Sequence, residues 1–164
     1  MGIRVNRLNN FYGVLASVCL SMCAAASVAQ ESCQPNTVKI RGDWGSAVFQ
    51  VEVADDPEER ARGLMFVEHM PMMSGMIFVY DKPQSVAFWM RNTLIPLDML
   101  FVGPDGIVQH IHENAIPHDE TPIPGGQNVL AVLELNAGMV SRLGISVGDA
   151  FQHPVFGPEA TFPC

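Results

Sequence analysis

Apolar and polar residues alternate over short stretches through most of this chain. Each stretch is bounded by Gly, Pro, Asn or Asp, the punctuation of strands and turns rather than long helices. Residues 75–102 read GMIFVYDKPQSVAFWMRNTLIPLDMLFV and hold three β-leaning apolar runs at 76–80, 86–90 and 97–102. Their Ile, Val, Phe, Tyr and Trp content suits pleated, half-buried strands, and the rest of the chain is expected to pack around them. A polar bend ending in Pro96 separates the last two runs; Pro96 donates nothing to a ladder, and Ile95 before it favours extended backbone.

Residues 36–41 (NTVKIR) and 47–54 (AVFQVEVA) form a predicted hairpin around Gly42-Asp43-Trp44-Gly45. A short helix follows. Asp56 caps it, Pro57 takes the first position, Glu58 and Glu59 suit its positive end, Arg60 and Arg62 its negative end, and Gly63 closes it. Residues 64–76 are a methionine-rich loop. Gly103-Pro104-Asp105-Gly106 turns 97–102 into a hairpin with 107–113, and a long loop is expected over 114–127. Residues 128–135 (NVLAVLEL) read as a buried strand. Asn136 is the expected cap of a second short helix running to Leu143, and short strands at 147–151 and around Val155-Phe156 end the chain. Seven or eight short strands with two small helices predict a β-rich α+β domain. A barrel-like antiparallel or mixed sheet removes the edges that such strands would otherwise expose.

Composition changes this picture in two ways. Seventeen acidic residues against nine Lys and Arg leave a formal charge of −8, with no basic run, which argues against a nucleic-acid or anionic-membrane binder. Residues 1–29 have the form of a secretory leader: Arg4 and Arg7, an uncharged apolar stretch over 11–26, then Ser27-Val28-Ala29 before Gln30. The alternatives are an uncleaved anchor or a lipoprotein site at Cys23. Beyond the leader no segment approaches the ~20 apolar residues of a membrane span. A single domain over 30–164, of roughly 135 residues, buries about two-thirds of its unfolded surface, enough for a core. Export implies a periplasmic or secreted location, where Cys33 and Cys164 are expected to pair.

Candidate chemistry centres on Asp98, one carboxylate inside a strand of large apolar residues. Burial of that group demands donors, and Arg91, Asn92 and Thr93 are the nearest in sequence. Together with Met65, Trp89, Met90 and Glu134, and with Arg60 or Arg62 nearby, they outline a cleft for a small polar molecule or a partner segment. The alternative in another class is a hydrolase-like enzyme using Asp98 as acid–base group. A third is a periplasmic copper binder using His69, Met70, Met72, Met73 and Met76, since thioethers are soft ligands, with core packing as the plainer use of the same methionines. His110, His112 and His118 form a further possible metal set. No phosphate-binding glycine loop, G-x-S-x-G elbow or C-x-x-C pair occurs, and no cofactor is implied.

Several of these segments resemble a known family. The runs are E-x-R-x-x-G-L-M ending at Met65, G-M-I-F at 75–78, F-W-M-R-N-T-x-I-P-L-D at 88–98, L-E-L-x-A-G at 133–138, and Gly148-Asp149. In this order and spacing they are similar to the family catalogued as domain of unknown function 192. The resemblance implies a small stand-alone β-rich domain, often with a leader, and no settled activity.

Overall fold

The computed structural model describes residues 1–2 and 33–164. The leader predicted over 1–29 lies, apart from residues 1–2, outside them. Seven strands form one sheet in the order β5-β4-β6-β3-β2-β1-β7. The strands are β1 (Thr37–Gly42), β2 (Gly45–Ala54), β3 (Ser74–Phe88), β4 (Leu97–Val102), β5 (Val108–Ala115), β6 (Ile123–Asn136) and β7 (Ala150–Gln152). All neighbours are antiparallel except β2 and β3, whose parallel pairing is connected through helix α1 (Pro57–Arg62). The sheet curls until its two edges meet at one end. Ile107, just before β5, bridges Ala150 of β7, and the Val108 and Phe151 amides donate across the junction to the Asp149 and Gly106 carbonyls at 2.9 and 2.8 Å. The expected barrel-like β-rich fold is what forms, as a half-barrel closed at that corner.

Each face of the sheet carries its own core. Val38, Ile40, Phe49, Ile77, Leu133 and Phe151 pack on one side, where helix α2 (Met139–Leu143) contributes Met139 and Val140. Leu64, Met70, Phe78, Met90, Met99 and Phe101 pack on the other. A sheet covered on both faces explains why β4 is buried at all six positions and shows no alternation.

Several elements differ from expectation, among them the strand expected at 147–151, which forms only over Ala150–Gln152. The runs at 76–80 and 86–90 belong to one fifteen-residue strand, β3, whose register against β6 shifts three times between Val79 and Ala87. Bulges absorb the polar stretch Asp81–Ser85 without ending the ladder. The long loop shrinks because β6 starts at Ile123, pairing Ile123 and Pro124 with Phe88 and Ala87. The last expected strand, around Val155-Phe156, is instead a 3₁₀ turn, Pro154–Phe156, with Pro at its start.

The α1 prediction holds in detail: Asp56 accepts from the Glu59 amide at 2.8 Å, and Gly63 closes the last turn onto the Glu59 carbonyl. Asp149 locks the first hairpin. Its carboxylate accepts from the Trp44 indole at 2.6 Å and the Ser146 amide at 2.9 Å, over a Gly42 that leaves no room for a β-carbon.

Cys33 and Cys164 are disulfide-bonded, as expected, across 131 residues. The His153 Nε2–H, bonded to the Pro35 carbonyl at 2.7 Å, ties the same two ends. Reducing the bridge is expected to lower unfolding free energy by roughly 4–5 kcal/mol in the chain-entropy account, given so long a loop. Urea unfolding with and without dithiothreitol measures this; coincident midpoints would mean that the closed loop contributes nothing. Among the described residues no helix is long and apolar enough to cross a membrane.

Candidate functional site

Two carboxylates sit in neighbouring apolar strands, and strand register sends them to opposite faces. In the β4–β6 ladder Asp98 lies opposite Leu135, and Met99 opposite Glu134. Directly opposed residues share a face, and successive residues alternate. Asp98 therefore points to the side of Leu133 and Leu135, and Glu134 to the side of Met99 and Phe101.

Asp98 is wholly buried and fully used. Its Oδ1 accepts from the Asn114 amide and its Oδ2 from the Val140 amide, both at 2.9 Å. The second bond supplies a cap to α2, which has none of its own because its preceding residue is Gly138. The donors expected in the bend, Arg91, Asn92 and Thr93, are not the ones that satisfy it. Asn136, expected to cap α2, instead donates its amide to the Met70 and Pro71 carbonyls at 3.1 and 3.0 Å, pinning the methionine loop.

Glu134 is the opposite case. It is only 4% exposed and its carboxyl makes no hydrogen bond to the described residues, but its oxygens are not sealed off, since no fully buried side-chain oxygen or nitrogen among those residues lacks a partner. Burial alone pushes its pKa from 4.5 up to about 8. It opens onto a cavity of about 180 Å³, also lined by Arg60 and Arg62 of α1, Phe78, Tyr80 and Phe88 of β3. Gly75 lets β3 pass close enough: a β-carbon there would strike the Glu134 carbonyl oxygen.

The bend at 89–93 forms the remaining wall, contributing Trp89, Arg91 and Thr93. It is held from two sides. Thr93 bridges Met65, the Phe66 amide donates to the Asn92 carbonyl at 2.9 Å, and the His118 amide donates to the Met90 carbonyl at 3.1 Å. Phe66, Asn92 and His118 all take positive φ, at 66°, 53° and 63°. Such backbone is uncommon outside glycine, especially for a bulky Phe, and concentrates at sites where geometry serves function.

The arginines are pre-set. Arg60 donates to the Val79 carbonyl at 2.8 Å and to the Asp55 carbonyl, and lies 5.3 Å from the Tyr80 ring centroid. Arg91 sits 5.6 Å over the Trp89 ring. Burial raises the Tyr80 pKa, the Arg60 guanidinium pulls it back, and the Glu134 carboxyl adds to the rise. The site thus offers fixed cations, a neutral acid able to donate a hydrogen bond, a phenol and aromatic walls.

Residues 37–153 match the family model DUF192, described as an uncharacterized ACR. The chain belongs to the DUF192 family. Solved structures agree with the fold. A protein of unknown function from Novosphingobium aromaticivorans is 48% identical, with TM-score 0.69, covering 70% of this chain and 82% of its own. A protein from Sinorhizobium meliloti, named as a suggested transcription regulator, is 44% identical with TM-score 0.70, covering 73% of this chain and 94% of its own. No curated protein matches the chain.

Of the residues singled out in this DUF192 sequence, Met65, Trp89, Arg91, Thr93 and Glu134 line the cavity. Met90 is buried in the core behind it, and the Asn92 amide reaches the Met65 sulfur at 3.9 Å. Asp98 stands on the other face. Tyr80 lies inside the predicted 76–80 run but is not among the site residues singled out from the sequence, because its place in the cavity of Glu134 follows from the pairing of β3 with β6.

The methionine loop divides by burial. Met70 and Met76 pack in the second core, Met72 and Met73 are exposed, and so is His69. That split is the pattern of packing rather than of a common ligand sphere. Among the described residues no three of His, Cys, Asp and Glu gather as a metal site, so His110, His112 and His118 do not form one. His110 stacks on Phe101 at 5.5 Å instead.

Proposed function

We propose that this chain is an exported small-molecule-binding module whose ligand enters the cavity between α1, β3 and the 89–93 bend. The observation that carries the reading is Glu134: a buried acid left without a protein partner, facing an open space ringed by oriented donors. A largely buried acid that takes no protein partner and keeps its oxygens open to the cavity is available to something else. The strained backbone of Phe66, Asn92 and His118 around the same bend supports this. The leader-like residues 1–29 and the disulfide support a periplasmic or secreted location. A formal charge of −8 disfavours direct contact with nucleic acid.

The enzyme reading passes from Asp98, which is saturated by two amides, to Glu134, whose raised pKa suits acid–base work. Binding is the better supported of the two, because the lining residues include no Ser, Cys, His or Lys to pair with Glu134 as an activated nucleophile or second proton-transfer group.

Native mass spectrometry of the mature chain, purified from its own host, tests the binding reading. A retained small-molecule mass is expected, and Ala61→Trp, which fills the cavity from its exposed rim, is expected to lose it. A mass retained equally by both would locate the ligand elsewhere.

A further inference from the structure

We infer that the cavity selects small organic anions, carboxylates carrying an apolar body, gripped by its arginines and by a hydrogen bond donated from the Glu134 carboxyl. This rests on the binding reading above and names the class of ligand. Charge is the first argument. The chain has only nine Lys and Arg against seventeen acids, yet three arginines, Arg60, Arg62 and Arg91, line this one cavity. None of them has a carboxylate partner among the described residues. Arg60 and Arg91 are held by carbonyls or rings, which orient a guanidinium without neutralising it. A cationic ligand would meet three like charges, and a neutral one would leave them unused.

Glu134 supplies the second argument. It is the single carboxyl among the lining residues, and it comes from β6, between β3 and β4. The titratable or charged side chains sharing its cavity are Tyr80, Arg60, Arg62 and Arg91. With its pKa raised by burial to about 8, it is neutral at pH 7 and donates a hydrogen bond to an anion instead of repelling it. The third argument is shape. Leu64, Met65, Phe78, Phe88 and Trp89 are too much apolar wall for an inorganic anion. The volume of about 180 Å³ limits the ligand to a small molecule. Binding is then proton-linked, since the anion is accepted only while Glu134 keeps its proton.

Calorimetry and amide chemical-shift titration with benzoate, benzamide, benzylamine and inorganic phosphate test this on the mature chain. Benzoate is expected to bind at pH 6.5 and to perturb the Trp89 indole. Its affinity is expected to fall about tenfold by pH 9, following the protonated fraction of a group with pKa about 8. Glu134→Gln keeps the donor and is expected to bind benzoate at both pH values without that fall. Arg91→Gln, at an exposed position, is expected to weaken benzoate several-fold while leaving the fold intact. Benzamide or benzylamine binding as tightly as benzoate would overturn the ligand class while leaving the cavity reading standing. So would phosphate binding without benzoate. The same pH fall in Glu134→Gln would overturn the role of the acid. If none of the four probes binds, the inference fails, and the mass retained in the native experiment decides separately whether the cavity binds anything.

Discussion

Glutamine in place of Glu134 raises the stability of this domain at pH 7 and above and leaves its pH profile unaltered near pH 4. The folded pKa, about 8, lies above the ordinary value of 4.5. Below the ordinary value both states carry the proton, and the shift contributes nothing. Between the two values the unfolded chain releases the proton while the native chain retains it. The native state then binds more protons, and stability falls as pH rises, by up to about 1.4 kcal/mol per pH unit. Above pH 8 both states are ionised and the full penalty stands. At pH 7 the wild-type protein therefore carries a cost on the order of a few kcal/mol that the glutamine variant lacks, worth several degrees in melting temperature. Melting curves of both proteins from pH 4 to pH 9 measure it. A gap that opens with rising pH is the expected result. A gap that stays constant, or closes, would mean that Glu134 is ionised in the folded protein and donates no hydrogen bond. A penalty of this size, kept at a position where Gln or Leu would remove it, is the kind of cost that a functional site imposes on its fold.

The strand pattern was legible because it depends on short-range signals. Period-two alternation, the turn residues at 42–45 and 103–106, and the cap and stop of α1 at Asp56 and Gly63 all act within a few residues, and all appear where expected. What was not legible depends on pairing across the sheet. Asp81–Ser85 looks like a strand break, and only the bulged ladder with β6 shows that β3 runs through it and brings Ala87 and Phe88 to the same cavity as Tyr80. Asn136 has the chemistry of a helix cap, but strand β6 claims it first, and its amide is spent on the Met70 and Pro71 carbonyls. The two acids carry the same local signal, one carboxylate in an apolar run. Their different fates follow from the one-residue offset that sets Asp98 opposite Leu135 and Glu134 opposite Met99. No local property of either run contains that offset. The bend at 89–93 was recognisable as part of a cleft, but its proper partner was the acid on the far strand rather than the acid nearest in sequence.

That division of labour makes Asp98 the sharper structural test. Asp98→Ala is expected to destabilise the domain by about 3–5 kcal/mol, because it strands the buried Val140 amide and the part-buried Asn114 amide in addition to opening a small void. Asp98→Asn retains one acceptor but turns an NH₂ group toward the second amide, so it recovers only part of the loss. The expected lesion is local as well as global. Val140 lies in the first turn of α2, and Asn114, itself at φ 57°, is the next-to-last residue of β5, so the carboxylate couples the helix to the sheet's edge hairpin. Urea unfolding of both variants gives the energies, and hydrogen exchange at the Val140 and Asn114 amides locates them. The cavity on the opposite face shares no side chain with this network, so whichever variant remains folded is expected to bind benzoate with wild-type affinity and the same pH dependence. A variant that melts like wild type but no longer binds would return Asp98 to the site and break the assignment of one acid to the fold and the other to the ligand.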